Sequence, residues 1–329
     1  MKLLIAGGSG HLGRLLTRNF LGRGHRVTVL TRDTAGRDRS APGLTYRSWN
    51  GQTLGPWATD VDGADVVINL AGRSVDCRYN TRNLREMFDS RIRSTRVVGD
   101  AISRAANPPA AWLQMSTATI YAHSFDVDNS ETGAIGGDEP DVPDYWRFSI
   151  DIATQWESAL SEADTPSTRK VALRSAMVMG PDPGGPFAVL SNLTRAGLGG
   201  AIGSGRQYMS WIHDRDFVRA VEFIIEHSEI HGPVNLAAPT PLPQREFIAA
   251  LRRAWRVPIG LPTPVWLLKL GTFVLRTDSE LILKSRRVVP GRLLGAQFSF
   301  EYPSWPEAAD ELVARRRSGN ETPYGALAS

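Results

Sequence analysis

Only one cysteine, Cys77, occurs in the 329 residues, so the chain cannot form an internal disulfide. A lone thiol also falls short of any zinc-cluster spacing. No metal site is expected, and a reducing compartment fits both absences. No run of five like charges interrupts the sequence, and its formal net charge of +4 is spread along the chain. The two short basic clusters, Arg252-Arg253 and Arg315-Arg316-Arg317, read as solvated surface. A nucleic-acid partner would need a stripe of cations or a reading motif, and neither is visible. Long apolar runs are missing too: the most apolar C-terminal stretch, "TPVWLLKLGTFVL", carries Lys269 and is short of the ~20 residues of a membrane span. The strand pattern begins at Lys2 and leaves no room for a leader, so a cytoplasmic protein, monomeric or homodimeric, is expected. A hydrophobic content of 42% in a chain this long suffices for one large α/β domain and a smaller lobe.

What is present is alternation. "KLLIAG" is a continuous apolar run, as expected of a strand buried on both faces. "HLGRLLTRNFLGRGH" follows at helical spacing, and "RVTVLTR" and "LTYRSW" are the next strands. "ADVVINLAG" is the fourth strand, "RNLREMFDSRIRSTRVVGDAISRA" a long amphipathic helix, and "AWLQMSTATIY" the fifth strand with its exit. "DYWRFSIDIATQWE" belongs to the next helix, "RKVALRSAMVMG" reads as strand six, and "GPVNLAA" as a late strand. This order predicts a Rossmann-type, doubly wound parallel sheet with a smaller C-terminal substrate lobe. Residues 1–236 are assigned to the nucleotide-binding domain, with 179–203 contributing to the lobe; 237–310 form the lobe itself, and 311–329 a frayed tail.

"IAGGSGHLG" lies between the first strand and the first helix. Gly7 allows the tight turn, Gly10 lets backbone N–H groups approach a diphosphate, and Gly13 permits close packing of the helix. Ser9, His11 and Leu12 belong to the same cofactor-binding stretch, at a helix N-terminus that favours an anion. The end of the second strand selects the dinucleotide. NAD preference usually places a carboxylate there, whereas this chain has Thr31 and then Arg32, suited to a 2′-phosphate. NADP is therefore expected before NAD, although an exposed Arg at a strand end also accounts for Arg32. At the end of strand four, Ala71 and Gly72 are small enough for the backbone to run close to a ligand, or simply to make a tight buried turn.

Together these segments resemble the extended, atypical branch of the short-chain dehydrogenase/reductase superfamily. The likeness is closest to a subfamily labelled epimerase family protein, or NAD-dependent epimerase/dehydratase-like, with its own C-terminal domain of unknown function. "GGSGHLG", "VINLAG", "SRIRSTR", "PPAAWLQMSTATIYA", "LRSAMVMGPDPGG", "GLGGAIGSGRQYMSWIHDRD" and "KSRRVVPGRLLGAQFSFEYP" carry it over nearly the whole chain. The resemblance implies that Thr31 and Arg32 meet the adenosine end of NADP and that Leu70 and Ala71 pass beside it. It also implies cofactor-facing roles for Glu86, Arg91 and Val178. From the residues alone, Glu86 and Arg91 could be an intrahelical charge pair, at a poor spacing for one.

The superfamily uses a Ser or Thr after strand five, a Tyr that exchanges the proton, and a Lys four residues later that lowers the Tyr pKa. Thr117, with Ser116 beside it, matches the hydroxyl, or is ordinary turn chemistry after a strand. Phe148 and Ile152 occupy the Tyr and Lys positions, and no Tyr in the chain has a Lys four residues on. Tyr145 is the nearest replacement acid. His213, in "SWIHDRD", is either a titrating group or a structural histidine beside Asp216. Arg206, Gln207, Tyr208 and Trp211 are expected around the substrate, where they would suit a planar or sugar-like ligand, or packing between lobes. Two readings follow. The chain is an NADP-dependent oxidoreductase or epimerase acting on an unidentified small carbonyl or hydroxyl compound, or a low-turnover NADP-binding redox sensor or partner scaffold.

Overall fold

The computed structural model describes residues 1–34, 41–75, 77, 79–139, 143, 146–183, 185–262 and 283–319. Seven parallel strands form one sheet: β1 (Lys2–Ala6), β2 (Arg26–Thr31), β3 (Leu44–Ser48), β4 (Val66–Asn69), β5 (Ala111–Thr117), β6 (Arg169–Ser175) and a late strand, Gly232–Leu236. From one edge the order is the late strand, β6, β5, β4, β1, β2 and β3. The chain therefore winds outward from β1 in both directions, and the reversal at β1 and β4 opens a crevice above their carboxyl ends.

Alternate residues of the buried strands build two cores. Leu3 and Ile5 pack with Leu15, Leu16 and Phe20 of α1 (His11–Gly22). Leu4 and Ala6 point the other way, toward Val97, Val98 and Ile102 of α2 (Thr81–Ser103) and Leu160 of α3 (Arg147–Ser161). This two-faced burial is why β1 and β4 are continuous apolar runs.

The expected sixth strand is broken. β6 ends at Ser175, and β7 (Met177–Met179) leaves the sheet to pair in parallel with Trp211–His213. The turn is held by backbone bonds in two directions, Ala176 N–H to Leu236 O and Met177 N–H to Ser210 O. α4 (Pro186–Leu193) follows, then the short strands β8 (Tyr208–Met209) and β9 (Trp211–His213), and α5 (Asp214–Glu226). The late sheet strand is β10, and β11 (Leu242–Pro243) pairs antiparallel with β8. α6 (Gln244–Trp255), α7 (Gly291–Gly295) and α8 (Trp305–Ser318) complete the described elements.

A third apolar core joins Met179, Phe187, Met209 and Trp211 to Phe247, Leu251, Trp305 and Leu312. At its centre the rings of Phe247 and Trp305 stack at 3.8 Å, and the Trp305 indole donates to Phe247 O at 2.7 Å. Residues 311–318, expected in a frayed tail, instead form the last turns of α8. Leu312 and Val313 are buried there, and an apolar face inside a basic-looking segment holds the helix down. Among the described residues, no helix is long and apolar enough to cross a membrane.

Candidate functional site

The glycine loop is built by close approaches. Gly7 has φ +73, and a Cβ there would fall 2.9 Å from the Ala71 Cα, so the loop and the exit of β4 touch. A Cβ on Gly13 would lie 2.3 Å from the Gly8 Cα, so the helix packs against its own loop rather than against a strand. Gly8, which lies outside the motif spacing, is equally constrained, because its Cβ would meet Val29 at 2.9 Å. Gly10 differs: it is exposed, and a Cβ would meet only Gly7 O, at 3.4 Å. The backbone is thus left open above the N-terminus of α1, where the N–H groups of the first turn have no intrahelical partner.

Thr31 fixes the neighbouring wall. Its buried hydroxyl lies 3.2 Å from Ser9 Oγ and 3.1 Å from Asp33 O, tying the glycine loop to the exit of β2. Arg32 stands exposed next to it and makes no ion pair among the described residues. On the β4 side Leu70 is half-buried, and Asn69 holds the turn by accepting from Ala71 N–H at 3.0 Å. Leu12 contributes its side chain to the first core.

Arg91 reaches this crevice from α2. Its guanidinium packs against Gly72, where a Cβ would be 3.3 Å from Arg91 Cζ, and lies 5.1 Å above the Trp156 ring. Nη1 donates to Met87 O at 2.9 Å, and among the described residues no carboxylate pairs with it. Burial lowers the pKa of the guanidinium to about 10, with Tyr79 and Cys77 opposing the shift. A desolvated cation with no counter-ion among the described residues is what an anionic ligand would complete. Glu86 is placed differently. It pairs with Arg73 and, at 2.8 Å, with Arg82, so the charge pair with Arg91 does not form and Glu86 turns to its own end of the helix. Val178 is buried in the first core, paired with Ile212.

Ser116 and Thr117 part company at the carboxyl end of β5. Ser116 is buried and donates to Glu157 Oε1 at 2.6 Å. Glu157 also receives Arg174 Nε and Nη2 at 2.9 and 2.8 Å; Arg174 Nη1 donates to Tyr121 Oη at 2.9 Å, and Tyr121 to Asn235 Oδ1 at 2.7 Å. This network pins α3 to β5, β6 and β10, and it withdraws Ser116 from a catalytic role. Thr117 stays half-buried and open, its hydroxyl held by Thr119 N–H at 3.2 Å and by Thr119 Oγ1 at 3.1 Å. The ammonium of Lys284, from the C-terminal segment, donates to Thr119 O at 3.3 Å, so a buried cation stands on the residue that orients Thr117. Replacing Ser116 by Ala should cost about 1.5–3 kcal/mol, because the lost bond is to a charged group. Chemical denaturation of the variant checks this, and an unchanged midpoint would remove Ser116 from the network.

Phe148, Ile152 and Trp156 lie four residues apart on one face of α3. Ile152 and Trp156 are buried, while Phe148 keeps partial exposure. Tyr145 lies outside the described residues.

His213 is not a free base. It is fully buried; Nδ1 lies 3.1 Å from both Arg215 N–H and Asp214 Oδ1, and Nε2 is 3.0 Å from Glu311 Oε2. Beside it Arg315 donates to both Asp214 oxygens at 2.8 Å, and Asp216 accepts from the N–H groups of Glu301 and Tyr302 at 2.8 Å each. "SWIHDRD" is therefore a clasp that fastens α8 and the segment before it to α5. Trp211 belongs to the third core, 5.0 Å from the Trp305 ring, and Gln207 is buried with its amide on Ile202 O at 3.1 Å. Both serve packing rather than substrate contact, since a core position leaves no face for a ligand. Arg206 is exposed over Phe125, and half-buried Tyr208 lies under the Arg287 guanidinium. An open groove of about 820 Å³ between α3, β6 and β10 is lined by Thr154, Ser158, Ala172 and Pro233 and includes no residue of the cofactor loop. Among the described residues, no group of three or more His, Cys, Asp or Glu could hold a metal ion.

The sheet order and the glycine cradle define an NAD(P)-binding fold, and the chain belongs to the NAD dependent epimerase/dehydratase family, whose model matches residues 3–237. A second model, Domain of unknown function (DUF1731), matches residues 263–312. Epimerase family protein YfhF of Bacillus subtilis (strain 168) is 30% identical over 318 residues, 97% of this chain and 100% of that protein. Epimerase family protein SDR39U1 of Homo sapiens is 31% identical, over 95% of this chain and 100% of its own length. The crystal structure of human SDR39U1 (isoform 2) with NADPH superimposes with a TM-score of 0.81 at 29% identity, covering 95% of this chain and 99% of the other.

Proposed function

We propose that the chain binds NADP and acts as an oxidoreductase or epimerase on a small carbonyl or hydroxyl compound, without a Tyr–Lys pair. The observation that carries this is the cradle, in which an open glycine loop faces one end of the crevice and Arg91, buried and without a carboxylate partner among the described residues, lines it. Arg32 and Thr31 would hold the adenosine ribose phosphate, the first turn of α1 the diphosphate, and Arg91 with the backbone of Leu70 to Gly72 the remaining anionic and ribose groups. The presence of NADPH in the human SDR39U1 crystal structure supports the same choice. When bound, NADP supplies a hydride acceptor or, reduced, a hydride donor. The protein's share is to orient a substrate oxygen with Thr117 and to place positive charge near it with Lys284, while Phe148 and Ile152 keep water away. The third core and the segment around Arg206 and Tyr208 form the substrate lobe.

One observation favours a second reading, a low-turnover NADP-binding sensor or scaffold. Ser116, Tyr121 and His213 are each bound to internal partners, which leaves few described proton donors at the crevice. Direct titration with NADPH and NADH, alongside NADPH oxidation over a carbonyl panel, separates the readings. Tight NADPH binding without turnover on any compound selects the second, and equal affinity for NADH rejects the NADP assignment.

The double substitution Phe148→Tyr with Ile152→Lys is expected to reorient the nicotinamide end and raise residual carbonyl reduction. Some stability should be lost, because position 152 is buried and Arg91 already stands over the next residue of that stripe. NADPH affinity and turnover of the double variant report it. A robust wild-type turnover that survives Thr117→Ala but not Phe148→Ala would refute this account of the helix.

A further inference from the structure

His11 is the first residue of α1, directly after the open glycine, at the helix end whose first-turn N–H groups have no intrahelical partner. Across the crevice, Nδ1 is 3.3 Å from Asp182 Oδ2, in the loop that follows β7. The pair is close enough to attract but not aligned for a hydrogen bond, and among the described residues neither ring nitrogen of this partly buried imidazole has a hydrogen-bond partner. A Cβ on Gly185, in the same loop, would lie 3.8 Å from Nε2, so the loop lies directly over the ring. Two ring nitrogens shut off from solvent and idle are a costly arrangement in a folded protein, and a ligand that bonds to them removes the cost.

We propose that His11 and Asp182 form a proton-coupled clamp on the diphosphate of the bound dinucleotide: cofactor binding draws one proton from solvent onto the imidazole, which then bridges two anions. This rests on the dinucleotide reading above. One anion is the diphosphate held at the N-terminus of α1, and the other is Asp182, so closing the bridge also fastens the loop after β7 over the cofactor. Every charged group facing the ring fits this role. Burial is the largest influence and keeps His11 neutral by pulling its pKa below the ordinary value; Arg14 and Arg18 of its own helix act the same way. Asp182 raises it, as does Asp214 at the start of α5, whose charge is already matched by Arg315. Adding a diphosphate tips this balance toward the charged form. The sign follows: binding is tightened by protons between the free and the bound pKa, so affinity for NADPH falls as pH rises through the bound value. The limit is about tenfold per pH unit for one proton.

The test is calorimetric titration of the full chain with NADPH, at one pH near neutrality, in buffers of different ionisation enthalpy. The 2′-phosphate of NADPH titrates in the same region, so the quantity read is the difference between wild type and His11→Gln. Wild type is expected to take up on the order of half a proton more than His11→Gln. It should also lose affinity on the alkaline side more steeply, and Asp182→Asn, which lies outside the glycine loop in sequence and alters only the partner of His11, should lower the uptake as well. Equal proton uptake in wild type and His11→Gln, with both binding NADPH, overturns the clamp and leaves the cofactor reading intact. Failure of wild type to bind NADPH overturns both.

Discussion

Arg32→Asp should weaken NADPH binding by about a hundredfold while changing NADH binding severalfold at most. The 2′-phosphate carries close to two negative charges, and a guanidinium at the end of β2 can meet it with two parallel bonds. Charge-assisted bonds are worth about 1.5–3 kcal/mol net, and a carboxylate in the same place adds repulsion to their loss. Arg32 is exposed and forms no ion pair among the described residues, so its removal strands none of them and the free protein should keep its stability. Thr31 is the contrast. Its hydroxyl ties Ser9 to the exit of β2, so Thr31→Val should loosen the loop for both dinucleotides alike. Fluorescence titration with the two reduced cofactors distinguishes these outcomes. Equal losses for NADPH and NADH in Arg32→Asp would show that Arg32 does not read the phosphate.

The second large effect concerns stability. Asp214→Ala should destabilise the protein by about 3–5 kcal/mol, the cost of stranding one member of a buried ion pair. Asp214 is fully buried and Arg315 nearly so, and the two bonds between them leave no room for water to compensate. Arg47→Ala, which removes an exposed pair with Asp60, should cost less than about 1 kcal/mol. Thermal unfolding of both variants makes the comparison, and similar shifts would mean that the clasp holds nothing. Acid should act on the same cluster. Although burial pushes the Glu311 carboxyl up, the bond from His213 and the charges of Arg315 and Arg215 hold it below its ordinary value. A depressed carboxylate gives stability that is present above the unfolded pKa and is lost as pH falls through the folded one. The wild-type chain should therefore lose stability below the ordinary carboxylate range, and Glu311→Gln should flatten that loss.

The sheet was legible because its inner strands are buried on both faces, and a run such as Lys2–Ala6 has few other homes. The glycine loop was legible for a related reason: tight contacts leave glycine in the sequence as their mark. The break after Ser175 was not, since "VALRSAMVMG" carries no Gly or Pro before Gly180 to mark a turn and the two directions of pairing are decided by Leu236 and Ser210, far along the chain. In the sequence His213 has the chemistry of a base, but its surroundings are set by Glu311, 98 residues away. The network through Glu157 and Arg174 did leave a signal. An arginine inside the apolar strand "VALRS" must find a buried partner, and Glu157 on the neighbouring helix was available. Ser116 would then have been assigned to structure from the start.

The clasp also has a consequence in time. Arg315 follows Asp214 by 101 residues, an interval of roughly 5–20 s on a ribosome adding 5–20 residues per second. Throughout that interval the start of α5 has emerged with acidic groups whose matching cation has not been made. The nascent chain can therefore assemble its sheet early, but this corner must stay hydrated and unfinished until synthesis nears the end of α8. A transcript truncated before Arg315 would yield a polypeptide with a complete cofactor loop and an open seam, a form that proteolytic quality control can distinguish from the finished molecule.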